Sequence, residues 1–215
     1  MSAVKPEFPG GVYAITPETT DTARLLAQVE AALRGGVAAV QYRDKSGDVA
    51  RRHEQASELV ALCRRFGAPL IVNDDLRLAD LADADGVHLG RDDGTVREAR
   101  IILGRHKFVG ASCYQSLDLA LAAQAAGADY VAFGSFFPSP TKPDAGRASV
   151  DLLRTAAPQI HLPLVAIGGI TLANAPALLD AGADSLAVLS ALFEGADISA
   201  NAQALNLLFA TESEQ

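Results

Sequence analysis

The 215-residue sequence predicts an α/β fold in a single domain, on three observations. Short, nearly all-apolar runs alternate eight times with longer segments of helical periodicity. Apolar runs of this kind are typical of parallel strands that helices cover on both faces of the sheet. Similar glycine-containing turns recur where helices lead back into strands. Eight strand–helix units in a chain of this length predict a (β/α)8 TIM barrel.

The elements follow one another along the whole chain. The predicted strands are residues 12–15, 38–42, 70–72, 86–88, 108–110, 130–133, 164–167 and 186–188. The helical segments include residues 22–33, 48–66, 116–126 and 173–179. Four of the turns before strands read Gly35-Gly36-Val37, Ala84-Asp85-Gly86, Gly127-Ala128-Asp129 and Gly182-Ala183-Asp184. Because glycine adopts the left-handed conformation after a helix at little cost, these turns are expected to end the preceding helices.

An open doubly wound sheet is the alternative architecture. It requires a Gly-x-Gly-x-x-Gly loop after the first strand, whereas that strand leads into Ile15-Thr16-Pro17-Glu18. The barrel is therefore favoured. No linker or shift in composition divides the chain, so we predict an N-terminal extension at residues 1–10, one barrel domain at residues 11–210 and a C-terminal tail at residues 211–215.

Composition excludes several classes of protein. The net charge of −8 argues against binding to nucleic acid. Two cysteines, Cys63 and Cys113, are too few for a disulfide framework or a four-ligand zinc site. No apolar run is long enough to span a membrane, and the N-terminus lacks the pattern of a signal peptide. We therefore expect a cytoplasmic protein that does not bind membranes, as a monomer or a small homo-oligomer.

Acidic residues follow two neighbouring strands. Asn73-Asp74-Asp75 comes after the third predicted strand, and Asp92-Asp93 comes after the fourth. The active groups of such barrels lie at the carboxyl ends of the strands, so carboxylates from both segments can converge on one Mg²⁺ ion. The alternative is that these aspartates cap the helices that follow, which suits Asp75 and Asp92 best.

Cationic and hydrogen-bonding side chains follow the second strand. Gln41, Arg43 and Lys45 alternate, so in strand geometry all three face the mouth of the barrel. Their amide, guanidinium and ammonium groups suit an anion, although a solvated charged loop would share this composition. Lys142, within the loop of residues 134–147, adds a further charge that can reach phosphate.

A second anion site is predicted at the last two strands. Gly168-Gly169 and Ser190 follow strands seven and eight, where barrel enzymes often bind phosphate with backbone N–H groups and a helix N-terminus. Two phosphate sites in one barrel indicate a reaction between two phosphorylated molecules.

No pair of nucleophile and base is evident in the sequence. His88 lies within a strand and either lines the barrel or packs in the core. Cys113 follows Ser112, but nothing marks it as an activated thiolate. This pattern favours chemistry that depends on positioning, a metal ion and charge stabilisation.

The motifs, taken in chain order, resemble the thiamine-phosphate synthase family. The resemblance rests on residues 13–16, 41–45, 72–74, 86–90, 110–112, 128–131, 139–142, 166–170 and 187–190. The most specific parts are Gln-x-Arg-x-Lys at 41–45, Asn-Asp at 73–74 and Thr-Lys at 141–142, whereas Ile-Gly-Gly-Ile at 167–170 occurs in many barrels. The matching segments run from about residue 11 to residue 193, nearly the whole chain.

The resemblance implies an activity and a set of site residues. The family joins hydroxymethylpyrimidine diphosphate to hydroxyethylthiazole phosphate, or a carboxylated form of it, and releases diphosphate. By this resemblance the pyrimidine diphosphate is bound by Gln41, Tyr42, Arg43, Asp44, Lys45, Asn73, Ser112 and Lys142, and the thiazole phosphate by Ser139, Pro140, Thr141, Gly169, Leu189 and Ser190. It implies that Asp74 and Asp93 bind Mg²⁺ and that Arg43, Lys45 and Lys142 are catalytic, stabilising the departing diphosphate.

Departures from the family pattern are mild. Tyr42 stands where leucine is common, and it alternates away from the ligand side. Ser139 replaces a frequent threonine, and Leu189 replaces a frequent valine or isoleucine.

Three different functions on the same barrel compete with this interpretation. The related thiazole tautomerase, which does proton-transfer chemistry, would not need the metal and diphosphate residues. A non-catalytic sensor of phosphorylated ligands would bind its ligand without releasing diphosphate. A phosphosugar isomerase or epimerase would need an acid–base pair, and the strand ends lack a suitable one.

Overall fold

The protein, seen in a computed structural model, is described over residues 7–138 and 146–210. Its strands there are β1 (Gly11–Ile15), β2 (Ala39–Tyr42), β3 (Leu70–Asn73), β4 (Gly86–Leu89), β5 (Phe108–Tyr114), β6 (Tyr130–Gly134), β7 (Leu164–Ile167) and β8 (Ser185–Val188). Its helices are α1 (Thr22–Arg34), α2 (Val49–Phe66), α3 (Leu76–Leu81), α4 (Val96–Leu103), α5 (Leu117–Ala126), α6 (Val150–Ala156), α7 (Ala175–Leu179), α8 (Ser190–Phe193) and α9 (Ile198–Ala210). Among the helices of these residues, none has the length and hydrophobicity required to cross a membrane.

The strands form one closed barrel in chain order. Each strand is parallel to the next, and β8 closes the barrel by pairing with β1. The predicted TIM barrel in a single domain is confirmed, including the positions of its eight strands. The alternative open sheet is wrong, since an open sheet would leave β1 and β8 unpaired.

Side-chain alternation divides the core into two layers. On β1, Tyr13 and Ile15 point into the barrel, where they pack with Ile71 and other interior residues. Val12 and Ala14 of the same strand point outward and pack in the larger cluster beneath the helices. Because successive side chains of a strand lie on opposite faces, every second residue of each strand reaches the barrel interior.

Helix N-termini are capped by local side chains. Asp48 accepts the backbone N–H of Arg51 at the start of α2. Asp75 caps α3 by accepting the N–H of Leu78 at 2.9 Å, which confirms capping for this aspartate. Asp92 is not a cap, because α4 begins after Thr95, whose side chain and that of Glu98 form a capping box.

The repeated turns end their helices as predicted at three of the four junctions. Gly36, Gly127 and Gly182 adopt positive φ angles of 90°, 94° and 99°. At the remaining junction the prediction is wrong, because Asp83 takes the left-handed conformation, with φ 52°. Gly86 lies inside β4 instead, where a Cβ atom would collide with the carbonyl oxygen of Phe108 on the neighbouring strand. Close approach of two strands therefore explains this glycine.

Aspartates of the same turns hold the amino-terminal ends of neighbouring strands. The carboxylates of Asp85, Asp129 and Asp184 accept backbone N–H groups from Leu70, Val109 and Leu164 at 2.9, 2.7 and 2.7 Å, respectively. Each aspartate precedes an even-numbered strand and binds the odd-numbered strand before it. These contacts lie at the end of the barrel opposite the carboxyl ends of the strands, so they serve stability.

Phe8 closes the amino-terminal end of the barrel. Its side chain is 2% exposed, and its ring stacks on Tyr130 with centroids 4.0 Å apart. It also makes edge contacts with Tyr13 and Phe108. The predicted N-terminal extension thus includes a residue of the barrel core. Residues 1–6 and the predicted tail, 211–215, lie outside the described residues.

Candidate active site

One cavity of about 940 Å³ opens at the carboxyl ends of the strands. The predicted site residues that line it are Gln41, Arg43, Lys45, Asn73, Asp74, Asp93, Ser112, Gly169, Leu189 and Ser190. They come from strand ends around the whole barrel, which is the geometry of an active site in this fold.

Two carboxyl groups meet at the rim of this cavity. Asp74 directly follows β3 in the left-handed conformation, with φ 64°, and its N–H donates to the carbonyl oxygen of His88. Asp93 lies in the turn after β4, where its Oδ2 accepts the N–H of Gly90 at 3.0 Å. The Asp93 and Asp74 carboxyl groups lie close enough to shift each other's pKa. The Lys45 ammonium group forms an ion pair with Asp74 Oδ2.

The electrostatics of the pair separate the two carboxyl groups. Burial opposes ionisation of Asp74, but its hydrogen bonds with Lys45 and Asp93 and the charge of Lys45 outweigh burial and lower its pKa. Burial, followed by the hydrogen bond and negative charge of Asp74, raises the pKa of Asp93. Two neighbouring carboxyl groups ionise together more readily when positive charge is supplied. In the structure that charge comes from the Lys45 ammonium group.

The segment after β2 carries the cationic wall of the cavity. The N–H of Arg43 donates to Thr16 Oγ1 at 3.0 Å, and the N–H of Lys45 donates to Glu18 Oε2 at 3.2 Å. These bonds hold the segment against the loop after β1 and continue the strand geometry beyond Tyr42. Gln41, Arg43 and Lys45 consequently reach the same cavity, as the alternation predicts.

Tyr42 and Asp44 lie on the other side of this segment. Tyr42 is buried beneath the helices, where its hydroxyl group donates to Gln55 Oε1 at 2.9 Å. Asp44 Oδ1 accepts the N–H of Ser46 at 2.6 Å, and Asp44 Oδ2 lies 3.5 Å from Arg51 Nη2. Neither side chain lines the main cavity. The physical reason is the same alternation that turns their neighbours inward. The expectation that both contact the substrate stays a prediction.

Glycines form the cavity wall at β7. Gly168 and Gly169 have φ angles of 105° and 63°. A Cβ atom on Gly169 would collide with the carbonyl oxygen of Pro138, so the chain passes closer here than any other residue would allow. Across the same wall, Leu189 and Ser190 lead into α8, where the Leu189 carbonyl oxygen accepts the N–H groups of Leu192 and Phe193 at 3.2 and 2.9 Å.

The described ends of the loop after β6 lie at the rim of the cavity. The predicted site residues of this loop, Ser139, Pro140, Thr141 and Lys142, lie outside the described residues. Pro138 and Gly146, which flank that segment, both line the cavity. Gln115 Nε2 donates to the carbonyl oxygens of Gly134 and Gly146, at 3.1 and 2.7 Å, and so ties both sides of the loop to β5.

His88 is a cavity residue that the motifs left undecided. It is 7% exposed, yet it lines the cavity, so both interpretations drawn from the sequence are partly correct. Its Nε2 lies 2.9 Å from Ser112 Oγ, and its Nδ1 lies 3.1 Å from the hydroxyl oxygen of Tyr130. Its neighbours Val87 and Leu89 pack outward. That alternation in the sequence is the signal that places His88 inside.

Arg91 is a second cavity residue without a predicted role. Its guanidinium group lies 4.9 Å from the ring centroid of Tyr114, and its N–H donates to the Tyr114 hydroxyl group at 3.1 Å. Both side chains line the cavity. The position of Arg91 shortly after β4 is the sequence signal that could have placed it in the cavity. A single arginine in a polar turn is, however, equally typical of a solvent-exposed surface.

A closed TIM barrel with an acidic pair, cations and close-packed glycines around one cavity defines an enzyme suited to phosphorylated small molecules. Residues 12–192 match the family described as thiamine monophosphate synthase. The chain belongs to the thiamine monophosphate synthase family.

Individual relatives agree with this family over nearly the whole chain. The chain is 77% identical to the thiamine-phosphate synthase of Thiobacillus denitrificans, covering 97% of this chain and 99% of that protein. It is 55% identical to the thiamine-phosphate synthase of Methylobacillus flagellatus, covering 93% and 95%. Among solved structures, thiamine phosphate pyrophosphorylase from Pyrococcus furiosus is 34% identical, with a TM-score of 0.83 over 94% of this chain and 96% of that one. The predicted family and transferase activity are confirmed.

Proposed function

We propose that this transferase joins 4-amino-2-methyl-5-hydroxymethylpyrimidine diphosphate to hydroxyethylthiazole phosphate, or its carboxylated form, and releases diphosphate, together with CO2 when the thiazole carries the carboxyl group. The supporting observation is the Asp74–Asp93 pair with Lys45, on the same cavity as Gln41, Arg43 and Ser112. This arrangement suits a substrate that carries a diphosphate at one end and a hydrogen-bonding ring at the other. A thiazole tautomerase would not use the acidic pair.

The acidic pair fits Mg²⁺ in its donor atoms. Within residues 7–138 and 146–210, no group of three or more His, Cys, Asp or Glu side chains is arranged to hold a metal ion. Two carboxylates nevertheless suit Mg²⁺, which commonly keeps water and substrate phosphate oxygens as its remaining ligands. Asp74 and Asp93 would bind the ion. Bound there, it would neutralise negative charge on the diphosphate.

Two groups of residues bind different parts of the pyrimidine substrate, namely its diphosphate and its ring. Arg43, Lys45 and Lys142 supply positive charge to the departing diphosphate. Gln41, Asn73 and Ser112 orient the ring through hydrogen bonds. Tyr42 and Asp44 lie on the helix side of the segment after β2 and hold it in place. Burial opposes ionisation of Asp44, but its hydrogen bonds with Ser46 and the charge of Arg51 lower its pKa, so it remains a charged anchor for the segment.

The thiazole phosphate occupies the other side of the cavity. Gly169, Leu189 and Ser190 offer backbone N–H groups at a wall where phosphate can approach closely. Ser139, Pro140 and Thr141 complete this subsite in the proposal. The two phosphorylated substrates then meet over the interior of the barrel.

The chemistry is a dissociative substitution. The bond between the pyrimidine methylene carbon and the diphosphate oxygen breaks, and its electron pair leaves with the diphosphate. The aminopyrimidine stabilises the resulting cation until the thiazole nitrogen donates its lone pair to the carbon. Since that nitrogen is already a neutral nucleophile, no general base is required, and the residues of the cavity contribute positioning and charge.

The proposed partners are therefore two small molecules. The net charge of −8 remains unsuited to nucleic acid. The cytoplasmic location and the monomeric or small homo-oligomeric state stay predictions.

Product formation tests the proposal directly. Purified protein is mixed with both substrates and Mg²⁺, and thiamine phosphate and diphosphate are measured together. We expect both products in equal amounts, loss of turnover with a chelator, and recovery when Mg²⁺ is added back. Asp93→Asn should require more Mg²⁺ for half-maximal rate, whereas Asp80→Asn, on the exposed face of α3, serves as the matched control. Absence of both products with either thiazole form would refute the proposal.

A further inference from the structure

A continuous chain of hydrogen bonds crosses the barrel interior beneath the cavity. Gln41 Nε2 lies 2.9 Å from the Tyr13 hydroxyl oxygen, which lies 2.9 Å from the Tyr130 hydroxyl oxygen. Tyr130 contacts His88 Nδ1 at 3.1 Å, and His88 Nε2 contacts Ser112 Oγ at 2.9 Å. These five residues, here called the interior chain, come from five strands. Its two ends, Gln41 and Ser112, line the cavity.

The Gln41 amide decides which atom donates and which accepts in each hydrogen bond of the interior chain. The amide nitrogen of Gln41 can only donate, so the Tyr13 oxygen accepts. The proton of Tyr13 then goes to the Tyr130 oxygen, and the proton of Tyr130 goes to His88 Nδ1. A neutral imidazole that accepts at Nδ1 carries its proton on Nε2 and donates it to Ser112 Oγ.

Burial keeps the two phenols of the interior chain protonated. Tyr13 is 1% exposed, Tyr130 is fully buried, and burial raises the pKa of both phenols well above the ordinary value. Neither hydroxyl group loses its proton in the pH range where enzymes work. If Ser112 Oγ accepts from His88, its own proton is available to an acceptor in the cavity.

We propose that Tyr13, Tyr130 and His88 are positioning residues that make Ser112 a hydrogen-bond donor and the Gln41 carbonyl group an acceptor toward the cavity. The roles of the two ends depend on each other. If the Gln41 amide were turned over, every hydrogen bond of the interior chain would reverse, so that Gln41 would donate to the cavity and Ser112 would accept from it. A ring with an acceptor nitrogen beside a donor amino group matches this pattern. The identity of that ring as the aminopyrimidine rests on the proposed function.

The tautomer of His88 tests the direction without any activity measurement. Two-bond ¹H–¹⁵N spectra of ¹⁵N-labelled wild-type protein are recorded above about pH 8, where an ordinary histidine is neutral. His53, His106 and His161 provide internal references, and His88 is assigned by triple-resonance spectra. The proposal requires a single Nε2–H tautomer at His88. A proton on Nδ1, protons on both nitrogens or an averaged mixture would overturn it.

Removing single hydroxyl groups then tests the role of the chain. Tyr130→Phe removes the donor to His88 Nδ1 and breaks the interior chain at its centre, so kcat/KM for the pyrimidine substrate should fall roughly tenfold. Tyr13→Phe leaves that donor in place, so the tautomer should persist and the loss should be smaller, about two- to threefold. Ser185→Ala is the control, because it removes a buried hydroxyl group that donates to the carbonyl oxygen of Pro9 and takes no part in the interior chain. Equal effects of the two tyrosine variants on kcat/KM, or a mixture of His88 tautomers in Tyr13→Phe, would contradict the proposal.

A double-mutant cycle separates positioning from general destabilisation. If Tyr130 acts through Ser112, Tyr130→Phe should lower kcat/KM little further in a Ser112→Ala background. A full tenfold loss in that background would show that the effect does not pass through Ser112 and would overturn the proposal. Absence of product in the wild-type protein would refute the proposed function instead, and the tautomer measurement would still stand.

Discussion

Lys45 is predicted to have opposite effects on metal binding and on turnover. In the structure its ammonium group forms an ion pair with Asp74, at the carboxylate that we propose for Mg²⁺. A cation that binds to the acidic pair therefore competes with Lys45. During the reaction the same ammonium group is needed by the departing diphosphate. Lys45→Met, which keeps most of the apolar stem, removes both effects.

The exposure of the ion pair determines the size of the first effect. The Lys45 side chain is 52% exposed and that of Asp74 is 20% exposed. A pair exposed to this degree contributes about 0.2–1 kcal/mol, so Mg²⁺ affinity without substrate should rise about 1.4- to 5-fold in the variant. Loss of a charge directed at the leaving group costs about 2–4 kcal/mol, which lowers kcat about 30- to 900-fold.

Two measurements on Lys45→Met test the effect on metal binding and the effect on turnover separately. Calorimetric titration of Mg²⁺ into substrate-free protein gives the affinity, and initial rates at saturating substrates and Mg²⁺ give kcat. Lys107→Met is the control, since Lys107 pairs with Asp83 outside the cavity. Weaker Mg²⁺ binding in Lys45→Met would show that the ion pair does not compete with the metal. Turnover near the wild-type value would refute the role at the leaving group.

Further predictions concern the other charges and the barrel end. Arg43→Ala and Lys142→Ala should each lower kcat by a factor equivalent to about 2–4 kcal/mol, and near-wild-type turnover in either would contradict its assignment. Because the pKa of Asp93 is raised, protons compete with Mg²⁺ as the pH falls through it. Calorimetry should show affinity decreasing from a higher pH than for an isolated aspartate, and a pH-independent affinity would exclude this competition. Asp85→Ala removes the acceptor of the Leu70 N–H, so thermal unfolding should show a loss of about 1.5–3 kcal/mol. An unchanged midpoint, equal to that of Asp80→Ala, would mean that the strand ends do not need these carboxylates.

Much of the fold follows from local patterns. Apolar runs and glycine turns predict the strands and the helix ends, and period-two alternation correctly turns Gln41, Arg43 and Lys45 to one side. The same rule, applied throughout residues 41–45, turns Tyr42 and Asp44 away from the main cavity. Applied to β4, it would have turned His88 into the barrel.

Position in the chain was a poor guide where contacts are distant. Phe8 lies before the first strand and was therefore placed in an extension, yet it stacks on Tyr130 in the barrel core. No local pattern distinguishes an apolar residue of a terminus that packs from one that does not. The difference depends on the space left between side chains of strands far along the sequence.

By itself, the sequence determined the barrel, the end of the barrel that carries the chemistry and the kinds of group gathered there. These depend on periodicity and on side chains that follow strands, which are local properties of the chain. Only the tertiary structure decided that Asp93 lies next to Asp74 and Lys45, and that Tyr13 meets Tyr130, 117 positions away. Such contacts exist because barrel closure brings distant strands together, and distances of a few ångströms across that closed space are not encoded in any one segment.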